Sequence, residues 1–222
     1  MRIALCLIAA IALPCRAAAQ PQEPAPRTQC ELHIWSAARF NAYSAGWLRG
    51  WGPIGSTMFG PDRNNLSQMR STLDAAAQID ALQSLNPTEA LGLPPSAVVV
   101  RHEEALDERA LNQRGSRHAA SAANCYYELI PTLIDYQQSG LLGRRLSVEF
   151  MLRAYGNDQR LDYQFTDVKQ AQLHHFPAGD GEDVTAASAE LVDVFKRDFA
   201  AYAERARNEV LWRRGLAPRP RR

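Results

Sequence analysis

From Tyr126 to Tyr155 the chain reads YYELIPTLIDYQQSGLLGRRLSVEFMLRAY, two extended runs joined at Ser139-Gly140-Leu141-Leu142-Gly143. In the second run Leu146, Val148, Phe150 and Leu152 alternate with Arg145, Ser147, Glu149 and Arg153. A period of two puts the first set on one face of a strand and the second set on the other. The glycine-bearing join makes the runs Tyr126 to Gln138 and Arg144 to Tyr155 an antiparallel hairpin. A ribbon with one apolar face needs a cover, because a hairpin alone is marginally stable in water. Pro131 has no N–H to donate, so the first run is expected to lie at an edge or to carry a bulge there.

The cover is legible at the other end of the chain. Leu191, Val194, Phe195, Phe199, Tyr202, Ala206 and Val210 form one broad stripe at helical spacing between Thr185 and Trp212. Asp180, Glu182 and Asp183 precede it and Arg213 and Arg214 close it, the signs that a helix dipole favours at its two ends. Leu66 to Leu85 carries a second helical stripe, and Asn86-Pro87-Thr88-Glu89 opens a short helix that Gly92 ends. Strands are predicted at Cys30 to Trp35, at Ala97 to His102 with its first half buried, and from Arg160 to Phe165 with Leu173 as the furthest extension. Ala42 to Gly60 is glycine-rich and apolar, Gly46 to Gly60 within it is predicted irregular, and Glu103 to Ala123 is predicted to be a long loop with one helical turn. The order predicts an α+β fold: an antiparallel sheet of about four to five strands, helices packed on one face, and a long C-terminal helix.

Residues 1–19 read as an export signal: Arg2, an unbroken apolar run from Ile3 to Leu13, and Ala17-Ala18-Ala19 before a new terminus at Gln20. The run is shorter than the roughly 20 apolar residues a membrane span needs. The expected organisation is a signal peptide at 1–19, a flexible mature terminus at 20–29, one α+β domain at 30–212 and a basic Pro/Arg tail at 213–222. The expected location is the periplasm or the extracellular space, with no transmembrane helix in the mature chain. Without the signal and the tail, 18 basic residues face 24 acidic ones, a balance that argues against nucleic-acid binding. Cys30 and Cys125 are the only cysteines left after export, and an oxidising compartment favours pairing them. A buried free pair and a two-cysteine metal site are the alternatives.

Chemistry-bearing motifs are sparse. His33, His102, His118, His174 and His175 are separated in sequence, and none belongs to an HExxH or CxxC pattern. His102 with Glu103 and Glu104 is the best cluster, placed where a strand enters a loop; a solvated strand end is the reading it competes with. Ser56 lacks the GxSxG context, and the glycines between 46 and 60 form no phosphate loop. Neither a cofactor nor a metal is expected. Trp47, Arg49 and Trp51, within the apolar segment Trp47 to Phe59, are the candidate binding residues for envelope proteins or a membrane surface. The competing reading folds both rings back as a lid on the core.

In element order, and in the pair YYELIPTLIDYQQSGLLGRRLSVEFMLRAY, the chain resembles the envelope-associated α/β domains of the curli-secretion and penicillin-binding-protein-activator lipoprotein group. There too an apolar strand ends in Asp-Tyr, here Asp135-Tyr136, turns through glycine and returns through arginine. The lipidated cysteine of that group has no counterpart here, since Pro14 immediately precedes Cys15, and the resemblance carries no functional residue. The expected function is a non-enzymatic periplasmic or envelope binding or assembly module. The alternative is a small extracytoplasmic hydrolase with a site near His102 and Glu103. A concave site with converging titratable groups would favour the hydrolase, and a flat apolar or sheet-edge patch the binding module.

Overall fold

The computed structural model describes residues 29–45, 62–113, 116–139, 143–156, 158–179 and 181–219. The elements are β1 (Cys30–Trp35), β2 (Phe40–Ala45), α1 (Arg63–Thr72), α2 (Ala75–Gln83), α3 (Pro87–Ala90) and β3 (Val98–His102), followed by α4 (Glu108–Asn112), β4 (Cys125–Ser139), β5 (Gly143–Tyr155), β6 (Leu161–Leu173) and α5 (Val184–Arg213). The α+β architecture, the helical cover on one face and the long C-terminal helix are as expected from the sequence. The sheet is mixed: β4, β5 and β6 pair antiparallel, while β1 joins β4 and β3 joins β1 in parallel, in the order β3-β1-β4-β5-β6.

β4 is long enough to hold two partners in line on one side. Its residues Cys125 to Leu129 pair with β1, and Ile134 to Ser139 pair with β2. The register against β5 shifts between Pro131 and Leu133, the bulge that the missing proline N–H predicts. Its effect is visible in the core, where β4 contributes odd-numbered Tyr127 and Leu129 before the bulge and even-numbered Ile134 and Tyr136 after it. β5 contributes Leu146, Val148, Phe150, Leu152 and Ala154 without interruption. Across them lies α5, whose Phe195, Phe199 and Tyr202 rings stand 5.6, 5.7 and 5.2 Å from the Phe150 ring. Burying side chains of this size is worth roughly 1.5–3 kcal/mol each, which is what holds a 30-residue helix on the sheet.

Three expectations are corrected. The stripe from Leu66 to Leu85 is two helices, because Asp74 breaks away to cap α2 by accepting from the Ala77 N–H at 2.8 Å. The sequence predicts no strand at Phe40 to Ala45, yet these residues form β2, which the β4 edge recruits; the segment from Gly46 to Gly60 lies outside the described residues. The first half of β3 is not buried: Val98 is 43% exposed because β3 is the outer strand. Gly92 ends α3 with φ +66°, where a Cβ would come within 2.9 Å of Arg207 on α5.

Asp198 sits on the buried side of α5, 4% exposed, and its Oδ2 has no hydrogen-bond partner among the described residues. Burial pushes its carboxyl up to about 7, against the nearby charges of Arg197 and Lys169. An acid raised in the folded state keeps its full stability below its ordinary value of 3.8 and loses it as pH rises towards the folded value. Asp198→Asn should therefore raise the unfolding free energy by about 1–3 kcal/mol at about pH 8 and leave it unchanged at about pH 3.5. Urea titrations of both proteins at the two pH values measure this, and an asparagine variant less stable at the higher pH would contradict it.

Candidate functional site

The face of the sheet opposite the helices is polar yet largely covered. Glu31, His33 and Trp35 of β1, Tyr126 and Glu128 of β4, and Arg153 and Tyr155 of β5 project from it, and the described residues of the segment 103–124, α4 among them, lie over these side chains. Polar groups buried in this way need partners, and Glu128, Arg153 and the two tyrosine hydroxyls have them. Glu128 accepts four hydrogen bonds: from the His118 backbone N–H at 2.8 Å, the His118 Nδ1–H at 2.7 Å, and the Tyr126 and Tyr155 hydroxyls at 3.1 Å each. Arg153, 1% exposed, donates to the Leu111 and Gln113 carbonyls at the end of α4 and to Gln164 Oε1. Arg117 donates to the carbonyls of Ser121, Ala123 and Gly156 and stacks over the Tyr126 ring at 4.6 Å.

Beside this sealed network runs a second chain of polar groups. Parallel pairing sets His33 of β1 next to β3, and its Nδ1 lies 2.8 Å from His102 Nε2. His33 Nε2 lies 2.9 Å from Glu31 Oε2, which also accepts from the Ser121 hydroxyl at 2.5 Å. The carboxylate assigns the tautomers: His33 donates from Nε2 to Glu31, its Nδ1 accepts from His102 Nε2–H, and His102 Nδ1 keeps its lone pair. That nitrogen makes no hydrogen bond among the described residues. Burial first, then the His33 ring, hold the His102 imidazole below its ordinary 6.5, with Glu128 opposing. The hydrogen bonds from Ser121 and then His33 hold Glu31 below its ordinary 4.5. The Trp35 ring stacks on His102 at 4.2 Å with 7° between planes, which fixes the imidazole in place.

His102 opens onto a pocket of about 430 Å³ lined by Trp35, Arg101, His102, Glu103, Glu104 and His118, with two apolar residues of the following segment. The cluster His102, Glu103 and Glu104 singled out in the sequence is thus at a concave site. His33 and His118, which sequence separation set apart, come to the same place through strand pairing and the fold of the loop. His33 on the polar phase of β1 was the signal that could have found this. His174 and His175 lie elsewhere; their backbone N–H groups donate to the Glu190 carboxylate at 2.7 Å. The candidate binding residues Trp47, Arg49 and Trp51, and the segment from Trp47 to Phe59, lie outside the described residues, as do the expected signal peptide and the end of the tail. Among the described residues no group of three or more His, Cys, Asp or Glu side chains is placed to hold a metal ion. Also among them, no helix is long and apolar enough to cross a membrane.

No protein-family model and no curated protein matches the chain. Among solved structures it is similar to a Xanthomonas campestris protein of the DUF330 family, at 12% identity and a TM-score of 0.42, covering 87% of this chain and 89% of that one. It is also similar to an uncharacterised protein at 10% identity and a TM-score of 0.30, covering 82% and 99%. A third is the PelC dodecamer of Paraburkholderia phytofirmans, at 10% identity and a TM-score of 0.26, covering 78% and 91%. Likenesses this distant carry no functional inference.

Proposed function

We propose that this protein is an exported, non-enzymatic binding module of the cell envelope, and that the pocket beside His102 is its recognition site. The disulfide between Cys30 and Cys125 and the N-terminal export pattern support the compartment. The observation that carries the recognition site is the contrast between two neighbouring polar groups of the same face. Glu128, His118 and Arg153 are saturated by partners within the chain, whereas His102 Nδ1, Glu103 and Glu104 line a concavity with their bonding capacity unused. Concave sites with a few convergent polar groups are where small ligands are held. The test is a titration of the mature protein with small amines, carboxylates, phosphates and sugars, followed through the imidazole resonances assigned with a His102→Gln variant. At least one class should shift the His102 signals at millimolar concentration or below. If none does, the pocket is not a recognition site.

The chain Glu31, His33, His102 also favours a second reading, the small hydrolase. His102 Nδ1 would take a proton from water as its oxygen bonds to an acyl carbon, and would return it to the departing alcohol oxygen, while His33 and Glu31 stabilise the intervening imidazolium. Among the described residues no serine, threonine or cysteine lines the pocket, so water is the nucleophile in this reading. A chromogenic ester separates the two readings. The binding module turns it over no faster than the His102→Gln variant, and the hydrolase loses its rate with that substitution.

A further inference from the structure

The charges around the pocket do not cancel. Arg101 is tied to Asp80 of α2, and His118 is paired with Glu128. Glu103 and Glu104 have neither an ion pair nor a side-chain hydrogen bond among the described residues, and both are exposed at the pocket. The cations of the lining are thus compensated and the two carboxylates are not. Behind them stands His102, whose free Nδ1 is an acceptor. Trp35 supplies the complementary half: it is 3% exposed, it lines the pocket, and its indole N–H donates no hydrogen bond among the described residues. The indole nitrogen is not among the buried polar atoms left without a partner, so it is open to solvent, and a ligand acceptor in the pocket would take the place of water there.

We infer that the pocket takes a primary ammonium group, held by Glu103, Glu104 and His102 Nδ1, on a ligand that also carries a carbonyl or amide oxygen to accept from the Trp35 indole. The inference rests on the pocket being a recognition site. An ammonium offers three N–H donors and one positive charge, which matches three acceptors carrying two negative charges. An anion would meet two uncompensated carboxylates, and a neutral sugar would leave them unneutralised. Such a group occurs both on free diamines and on lysine side chains in peptides. Only the second brings an amide oxygen.

The experiment is calorimetric and NMR titration of the mature protein with three probes: cadaverine, an acetylated and amidated Gly-Lys-Gly peptide, and glutarate as the size-matched dianion. The peptide should bind most tightly, cadaverine more weakly, and glutarate not at all. The double variant Glu103→Gln, Glu104→Gln should weaken peptide binding at least about tenfold, and raising the salt concentration should weaken binding to the native protein more than to the variant. Trp35→Phe should bring the peptide down to the affinity of cadaverine; because Trp35 is buried, its folding is checked by circular dichroism, and indole N–H resonance shifts in the native protein read the same contact independently. Binding of glutarate without the amines would overturn the ammonium assignment and leave the pocket a recognition site. Equal binding of the peptide to native and double-variant protein would place the ammonium elsewhere and overturn it as well. Silence of all three probes, together with the wider panel, would remove the recognition site itself.

Discussion

Glu128→Ala should lower the unfolding free energy by about 3–5 kcal/mol at about pH 6, the usual cost of removing one partner from a buried ion pair. The carboxylate is fully buried and accepts four hydrogen bonds, so its loss strands the His118 Nδ1–H and the Tyr126 hydroxyl, while the Tyr155 hydroxyl keeps the Ser116 carbonyl as an acceptor. The penalty should depend on pH in a definite way. Burial pushes the Glu128 carboxyl up, but the ring and backbone N–H groups of His118 outweigh it and hold it below its ordinary 4.5. Burial likewise pulls His118 down, but the hydrogen bonds to Glu128 and to the Ala110 carbonyl outweigh it and hold the imidazole above its ordinary 6.5. A depressed carboxyl contributes stability above its unfolded value and loses it as pH falls through its folded one. A raised imidazole contributes below its unfolded value and loses it as pH rises through its folded one. Both contributions are present together between 4.5 and 6.5, so the gap between native and variant protein should be widest there and narrow on either side. Denaturant titrations across that range measure it. A gap that stays constant with pH, or one below about 1 kcal/mol, would mean that the pair is solvated and the segment 103–124 is not sealed by it.

The same pair explains which parts of the fold were legible in the sequence. The hairpin of β4 and β5, the bulge at Pro131 and the helix α5 were readable because each buries one apolar face, and burial on one face writes a period into the sequence. The polar face left no such mark. Glu31, His33, Glu128 and Arg153 sit on the phase of their strands that ordinarily meets water, and Arg153 read as an outward-facing residue. It does point away from the helices, yet it is 1% exposed, because a polar loop lies over it. A polar strand face under a polar loop looks the same in sequence as a strand face in solvent. Nor does periodicity report which strands are neighbours. Trp35 ends β1 and Val98 begins β3 far along the chain, and only the parallel pairing of the two strands brings His33 to His102. The pocket was therefore half legible: His102 and Glu103 stood out as a cluster, whereas the groups that orient His102 come from elsewhere in the chain. The split between α1 and α2 was hidden for a related reason, since Met69 and Leu73 before the break and Ile79 and Leu82 after it are all buried on one core.

Replacing both Cys30 and Cys125 by alanine should cost about 2–5 kcal/mol of stability, with Tm falling by about 2–4 °C for each kcal/mol. The two residues face each other in register on parallel neighbours β1 and β4, with Cα atoms 4.5 Å apart and a sequence separation of 95. In the chain-entropy account, closing a loop of that length removes roughly 4–5 kcal/mol of conformational freedom from the unfolded chain. The bond also sits where its loss has most to undo. Among the described residues β1 is the only strand through which β3 joins the sheet, and Glu31, immediately after Cys30, anchors the chain that ends at His102. Intact mass of the oxidised protein should fall two protons short of the sequence and recover them on reduction. Two free thiols in protein purified from an oxidising compartment would contradict the pairing. Comparing reduced native protein with the double alanine variant then separates the two ways the bond can act. If it works by constraining the unfolded chain, both should unfold at nearly the same denaturant concentration, and both should keep the His102 resonances of the oxidised protein under native conditions. If the bond holds β1 in register, both forms should instead show altered His102 signals before any global unfolding, because His33 would no longer be fixed against β3.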